Sequence, residues 1–213
     1  MKVLFILFFA FKQIAFFIPY TKGIHLINHN SENYKQIIVK REDGIKVNIN
    51  FEKKRFPMVS KAFLKIGRVK YKRIATISDN IYYYSTSYTE FVKNVLLYLK
   101  EEIKYSEEEL PQDALTVSYT KRGYCTGFSH LTSMLLKRWG VKHREVSGLY
   151  FNKEKNILQK HRWLEIFFPG YGWYSIDPIN GSFSYNYIYG DIDTNIKTLK
   201  MKNIKFSFEI ENF

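Results

Sequence analysis

Two short runs near the start of the chain have strand character. Tyr34-Lys35-Gln36-Ile37-Ile38-Val39 and Ile45-Lys46-Val47-Asn48-Ile49-Asn50-Phe51 flank the turn signal Glu42-Asp43-Gly44. The second run alternates apolar and polar residues, as a strand buried on one face does, so the pair predicts a β-hairpin. Residues 68–77 alternate similarly through Val69, Tyr71 and Ile74 and predict a further strand. From residue 87 the period changes. Phe91, Val95, Tyr98 and Leu99 recur at helical spacing, with Leu96 and Ile103 widening the stripe, which predicts a helix over 87–104. Glu107-Glu108-Glu109 and Pro111 break the pattern into a solvated loop. A second helix is predicted over 126–139, where Phe128, Leu131, Leu135, Leu136 and Trp139 share one face and Gly140 supplies the stop. Strand-like runs follow at 142–150, 162–168 and 173–176, divided by turns at Asn152-Lys153-Glu154 and Pro169-Gly170-Tyr171-Gly172. A helix followed by at least three strands reads as an antiparallel α+β arrangement rather than βαβ.

The N-terminus reads differently. Met1-Lys2 opens a short basic segment, residues 3–11 are apolar, and Lys12-Gln13 interrupt the run before residues 14–18 resume it. A secretory signal needs an apolar stretch of about 7–15 residues, whereas a transmembrane helix needs roughly 20 in a row. Residues 1–23 are therefore expected to be an export signal or an N-terminal anchor, residues 24–86 a β-rich region, and 87–213 the functional domain. A periplasmic or extracellular location follows from that expectation.

Composition changes this picture little. The 213 residues are 46% hydrophobic and 18% aromatic, ample for a packed core. The net charge of +13 invites a nucleic-acid partner, but no RNP-like, zinc-finger or helix-turn-helix pattern focuses it. The lysines are scattered through a chain also rich in Ile, Asn, Tyr and Phe, so no nucleic-acid partner is expected.

One cysteine stands in the chain, Cys125. It has no disulfide partner and cannot build a Cys-rich metal site. An unpaired thiol in an exported protein calls for a use. Cys125 opens the predicted helix over 126–139, where the macrodipole and free N–H groups favour a thiolate and can hold an oxyanion. His161 precedes the strand at 162–168, and Asp177 follows the strand at 173–176. In an antiparallel hairpin the first residue of one strand lies near the last of the next, which puts His161 and Asp177 at one end. Nucleophile, base and orienter are then available for thiol chemistry.

A resemblance is more specific. Arg122-Gly123-Tyr124-Cys125-Thr126-Gly127-Phe128-Ser129, continuing to Gly140-Val141-Lys142-His143-Arg144-Glu145-Val146-Ser147-Gly148, resembles the core of the transglutaminase-like superfamily. His161-Arg162-Trp163-Leu164-Glu165 resembles its second block, and Gly172-Trp173-Tyr174-Ser175-Ile176-Asp177-Pro178 its third. Upstream, Ile103-Lys104-Tyr105-Ser106 and Asp113-Ala114 resemble the family's approach to its cysteine. The resemblance covers about residues 88 to 180. It implies a papain-like α+β core, the helix carrying the cysteine packed on an antiparallel sheet, with Cys125, His161 and Asp177 as catalytic triad. It also implies acyl transfer on an amide or peptide bond, with a protein or peptide as substrate and no cofactor or metal. The family often adds an upstream polar or aromatic side chain to the oxyanion hole; Tyr119 is the candidate here, with Trp163 as a supporting residue. Trp163, Trp173 and Gly148 also read as packing and turn residues, Arg144 as a charge with a structural partner, and His130 and His143 as non-catalytic. The tyrosines at 82–84 and 185–189 read as packing or as groove lining. The rival expectation is a non-catalytic binding or structural module of the cell envelope.

Overall fold

The computed structural model describes residues 12–183, 186–193, 196, 198–200 and 207–209. Five strands build an N-terminal sheet: β1 (Lys12–Pro19), β3 (His29–Ser31), β4 (Tyr34–Lys40), β5 (Gly44–Phe51) and β13 (Ser207–Glu209), in the order β13-β1-β5-β4-β3. The hairpin expected around Glu42-Asp43-Gly44 is its centre, with Ile38 opposite Val47 and Gln36 opposite Ile49. Val47 and Ile49 are fully buried while Lys46 and Asn48 are not, the period-two pattern of a one-sided strand.

A helical layer follows: α1 (Lys72–Tyr83), α2 (Tyr88–Glu102), α3 (Ala114–Thr120) and α4 (Cys125–Arg138). Residues 72–83 are a helix, where the alternation around Val69 and Tyr71 predicted a strand. The longer period decides it. Ile74 and Ser78 are four apart and both buried, and the Ser78 hydroxyl donates to the Leu135 carbonyl of α4 at 2.7 Å. The helix α2 begins at Ser87, whose side chain accepts from the Glu90 N–H, and it ends near Ile103, as the hydrophobic stripe predicted. Two short parallel strands, β6 (Lys104–Tyr105) and β7 (Arg122–Gly123), bring the chain after α2 alongside the residues that lead into Cys125.

The central sheet has the order β10-β9-β8-β11-β2, from β10 (Gly172–Ile176), β9 (Ile157–Phe168), β8 (His143–Asn152), β11 (Tyr187–Ile192) and β2 (Ile24–Leu26), with β12 (Thr198–Lys200) also paired to β9. Every pairing in it is antiparallel. Strand β9 starts at Ile157 rather than near 162, because β8 pairs with it as far as Asn152. The sheet is covered on both sides. Leu164, Ile166 and Phe168 pack with the helices, while Trp163, Leu149 and Phe151 pack with Phe16, Val47 and Ile49 of the N-terminal sheet. The fold is thus α+β, with the Cys125 helix laid on an antiparallel sheet.

A charged group ties the two sheets together. Glu165 of β9 is fully buried and accepts from His29 Nε2 at 2.6 Å and from Arg144 Nε at 2.5 Å. The Tyr189 hydroxyl adds a third bond at 3.2 Å, and the His29 ring stacks on Tyr189 at 3.6 Å. Burial works to raise the Glu165 carboxyl's pKa, but His29 and Arg144 outweigh it and hold the pKa below the ordinary range. Arg144 thus has the structural partner that its place in the sequence suggested.

Residues 1–11 of the expected export segment lie outside the described residues. Residues 12–19 are β1, which pairs along its whole length with β5 and buries Ile14, Phe16 and Ile18. A cut at residue 23 would remove β1 from this sheet. Among the described residues, no helix is long and apolar enough to cross a membrane. Phe16 is fully buried against Phe151, so Phe16→Ala is expected to destabilise the fold by about 3–5 kcal/mol. Urea unfolding of both proteins measures this as a lowered midpoint at unchanged slope.

Candidate active site

Cys125 is the first residue of α4, and the geometry around it is built from four directions. The N-cap residue, Tyr124, is extended and makes no side-chain capping bond, so the first-turn N–H groups face outward without an intrahelical partner. Gln112 holds the approach: its Oε1 accepts from the Tyr124 N–H at 2.9 Å. A side chain on Gly127 would place its Cβ 2.5 Å from that same oxygen, which explains the glycine two residues after the cysteine. The β6–β7 pair fixes the strand entering the helix, with Tyr105 opposite Gly123.

The imidazole of His161 reaches the cysteine from β9, and Asp177 reaches the imidazole from beyond β10. His161 Nε2 donates to Asp177 Oδ2 at 3.0 Å, and the ring lies close enough to Cys125 to favour the ionised thiol. The register differs from a simple end-to-end pairing. Ile176 lies opposite Leu164, and His161 is the fifth residue of its strand, so the His161–Asp177 contact is diagonal. The Arg162 backbone and the Thr126 side chain lie beside the thiol and also favour its ionised form.

Asp177 is fully buried and accepts from four groups. Oδ2 takes His161, Asn180 Nδ2 at 2.9 Å and the Tyr187 hydroxyl at 2.6 Å, while Oδ1 takes the Ile179 N–H at 3.0 Å. Its own N–H donates to the Ser182 carbonyl at 3.0 Å, closing a turn over residues 177–182. Burial, with the Asp177 carboxylate beside it, keeps the Tyr187 hydroxyl protonated far above its ordinary range, so it remains a donor.

His161 and Cys125 shift each other's protonation. Burial alone works to lower the His161 pKa, but the Asp177 charge and hydrogen bond, together with Cys125, push it up to about 10. Burial raises the Cys125 thiol, and the His161 hydrogen bond and charge outweigh that and bring it below its ordinary value. The pairing therefore biases the two groups toward thiolate and imidazolium. A histidine raised in the fold stabilises it fully below the unfolded pKa of about 6.5. That contribution fades as pH climbs through about 10.

Of the two supporting residues, Trp163 lies beside the imidazole and Tyr119 on the outer face of α3. Tyr119 is 63% exposed on α3, with the Arg73 guanidinium over its ring at 4.4 Å. Its partner is α1 rather than the group around the cysteine. Trp163 has no exposure at all; its ring lies 6.2 Å from His161 and is wedged against Tyr187 and Tyr189. It backs the imidazole and presents nothing to a substrate. His130 bonds the Gln112 carbonyl through Nδ1 at 2.8 Å, and His143 bonds Ser133 and Val141. Gln112 and Asn180 were not singled out from the sequence, and Tyr187 read only as packing or lining. The Asp-Pro-Ile-Asn turn was the available signal for Asn180. Nothing local marks Tyr187, whose role arises from β11 pairing with β8. Among the described residues, no group of three or more His, Cys, Asp or Glu is arranged to hold a metal ion.

The core of the chain, residues 75–178, matches the model of the transglutaminase-like superfamily. Residues 75–178 are a transglutaminase-like core. A candidate cysteine protease from Cytophaga hutchinsonii shares the fold at a TM-score of 0.51, with 10% identity over 96% of this chain and 87% of that one. The periplasmic domain of TgpA from Pseudomonas aeruginosa aligns with a TM-score of 0.47 and 11% identity, over 80% of this chain and 88% of the domain. In sequence, the chain is 24% identical over 179 residues to the uncharacterized protein YebA of Bacillus subtilis (strain 168). That match takes in 75% of this chain and 24% of YebA, so the chain spans about a quarter of that relative.

Asp177→Asn keeps the shape of the transglutaminase-like core's buried acceptor but removes its charge. His161 is then expected to lose most of its upward shift, and iodoacetamide alkylation of Cys125 at pH 7 to slow by about tenfold or more. Tyr187→Phe leaves the charge and removes one donor, and is expected to cost about 1–3 kcal/mol in stability with a smaller change in alkylation. Stopped-time alkylation followed by mass spectrometry, beside urea unfolding, separates the two effects.

Proposed function

We propose that this protein is a thiol-dependent acyl-transfer enzyme acting on an amide or peptide bond through a thioester, working as a cysteine peptidase or amidase. The observation that carries the reading is the Cys125–His161–Asp177 arrangement: a sulfur at an uncapped helix N-terminus, beside an imidazole whose pKa a buried carboxylate raises. In the proposed reaction the Cys125 thiolate attacks the carbonyl carbon of the substrate. Negative charge develops on the carbonyl oxygen, facing the free N–H groups of the first turn of α4. The His161 imidazolium gives its proton to the leaving nitrogen as the C–N bond breaks, leaving an acyl thioester on Cys125. Water enters, neutral His161 takes one of its protons, and the C–S bond breaks to return thiolate and acid. Asp177 keeps the ring in the tautomer that both steps require.

The substrate in this reading is a protein or peptide, and the activity on the wider scale of a YebA-sized protein belongs to the same proposal. The apolar run over residues 3–11 supports an exported setting. A Cys125 that titrates clearly below the ordinary thiol value of about 8.5, and moves up in His161→Ala, is the expected result of alkylation across pH 5 to 10. A wild-type Cys125 titrating at or above that value, unmoved by His161→Ala, sinks the enzyme and leaves the non-catalytic module. Incubation with acyl-amide peptides is expected to leave a hydroxylamine-sensitive acyl group on Cys125, seen by mass spectrometry and absent from Cys125→Ala.

A further inference from the structure

Behind the turn that cradles Asp177 lies a cavity of about 400 Å³, between the end of β5, the outer face of α2 and residues 180–183. Its floor is apolar, formed by Phe51, Leu96, Ile176 and Phe183, and two of these, Leu96 and Ile176, are within the packed helical core. Its rim is cationic on both walls. Lys53 and Lys54 stand on the β5 side, and Lys93 and Lys100, two helical turns apart on one face of α2, stand opposite. All four lysines are exposed, and no acidic residue lines the cavity. Glu52 lies 3.3 Å from Lys54, Glu90 is one turn before Lys93 on α2, and Asp177 is bonded to the lining residue Asn180. Lys53 and Lys100 have no such neighbour among the ion pairs of the described residues.

We infer that this groove binds an acidic peptide segment that carries an apolar side chain between carboxylates. The apolar floor takes one large side chain out of water, worth roughly 1.5–3 kcal/mol when buried. Cations on two facing walls suit several carboxylates spread along an extended peptide, whereas a one-headed amphiphile would engage one wall. Single exposed ion pairs contribute little, so the site depends on several charges acting with the apolar anchor. The groove is joined to the candidate active site by its lining. Asn180 and Ser182 hold Asp177, and Phe183 stacks on Tyr187 at 4.2 Å, the tyrosine that donates to Asp177. A segment bound here occupies the face of the turn opposite the imidazole.

The test is fluorescence anisotropy with the whole chain and a fluorescein-labelled peptide, Glu-Glu-Phe-Glu-Glu, in physiological salt. Catalysis is not needed for this readout, so a failure here is distinct from a failure of the enzyme reading. The acidic peptide is expected to bind at least about tenfold more tightly than Gln-Gln-Phe-Gln-Gln and than Glu-Glu-Ser-Glu-Glu. Lys93→Glu with Lys100→Glu, and separately Lys53→Glu with Lys54→Glu, should each weaken it by about tenfold or more. Lys65→Glu with Lys72→Glu makes the same change in net charge at exposed positions away from the groove and should leave binding within about twofold. Equal binding of the glutamine peptide, equal loss in all three double variants, or unchanged binding in both groove variants overturns the inference. So does tight binding of decanoate with none of the peptide, which would make the groove a site for single-chain amphiphiles. Circular dichroism of each variant verifies the fold.

Discussion

A carboxylate with no contact to solvent must be answered by donors, and around Asp177 four of them converge. Much of the architecture serves that convergence. The turn after β10 brings the Asn180 amide and the Ile179 N–H from the same stretch of chain. Strand β11 brings Tyr187 by pairing with β8, and β9 brings His161. The donors arrive on three separate segments, β9, β11 and the turn after β10, so the charge can stay buried only when the sheet is complete. The same burial makes the charge effective. In a low-dielectric setting Asp177 lifts His161 to about 10, and the imidazolium then draws Cys125 toward the thiolate.

Strand β9 carries the load on both faces of the sheet. Towards the helices it sends Leu164, Ile166 and Phe168, and α4 packs there with Cys125 at its first turn. Towards the N-terminal sheet it sends Trp163 and Glu165. Trp163 supports the His161 ring from behind, and Glu165 anchors His29 and Arg144. A second buried carboxylate thus fastens the N-terminal sheet to the strand that holds the imidazole. The two buried acids share one solution, paired and hydrogen-bonded charges, applied once at the candidate site and once at the seam between sheets. The cationic groove lies beside the first of them, lined by residues 180–183 of the turn that follows Asp177.

The elements read correctly from the sequence are those whose environment repeats along the chain. Val47 and Ile49 alternate with Lys46 and Asn48 because one face of β5 meets a core, and Phe91, Val95 and Leu99 recur because one face of α2 does. Residues 68–77 misled because two alternating positions, Val69 and Tyr71, precede the helix proper, and α1 shows its true period only from Ile74 to Ser78 onward. Tyr119 shows a different limit of the sequence. Its distance of six residues from Cys125 says nothing of direction, and α3 turns it out to Arg73.

The sequence by itself determined the fold class, the order of the blocks holding Cys125, His161 and Asp177, and the resemblance that joins them. These are local: a cysteine opening a helical stripe, a histidine and an aspartate on neighbouring strands, with glycines at the turns. The tertiary structure alone decided how the three meet and what charge state they share. The diagonal contact between His161 and Asp177 depends on a strand register set by β8, and the donors Tyr187, Asn180 and Gln112 come from segments whose positions no local pattern encodes. The reason is that hydrophobic periodicity reports which face of an element is buried. It does not report which polar atoms are buried together, and that is a property of the assembled layers.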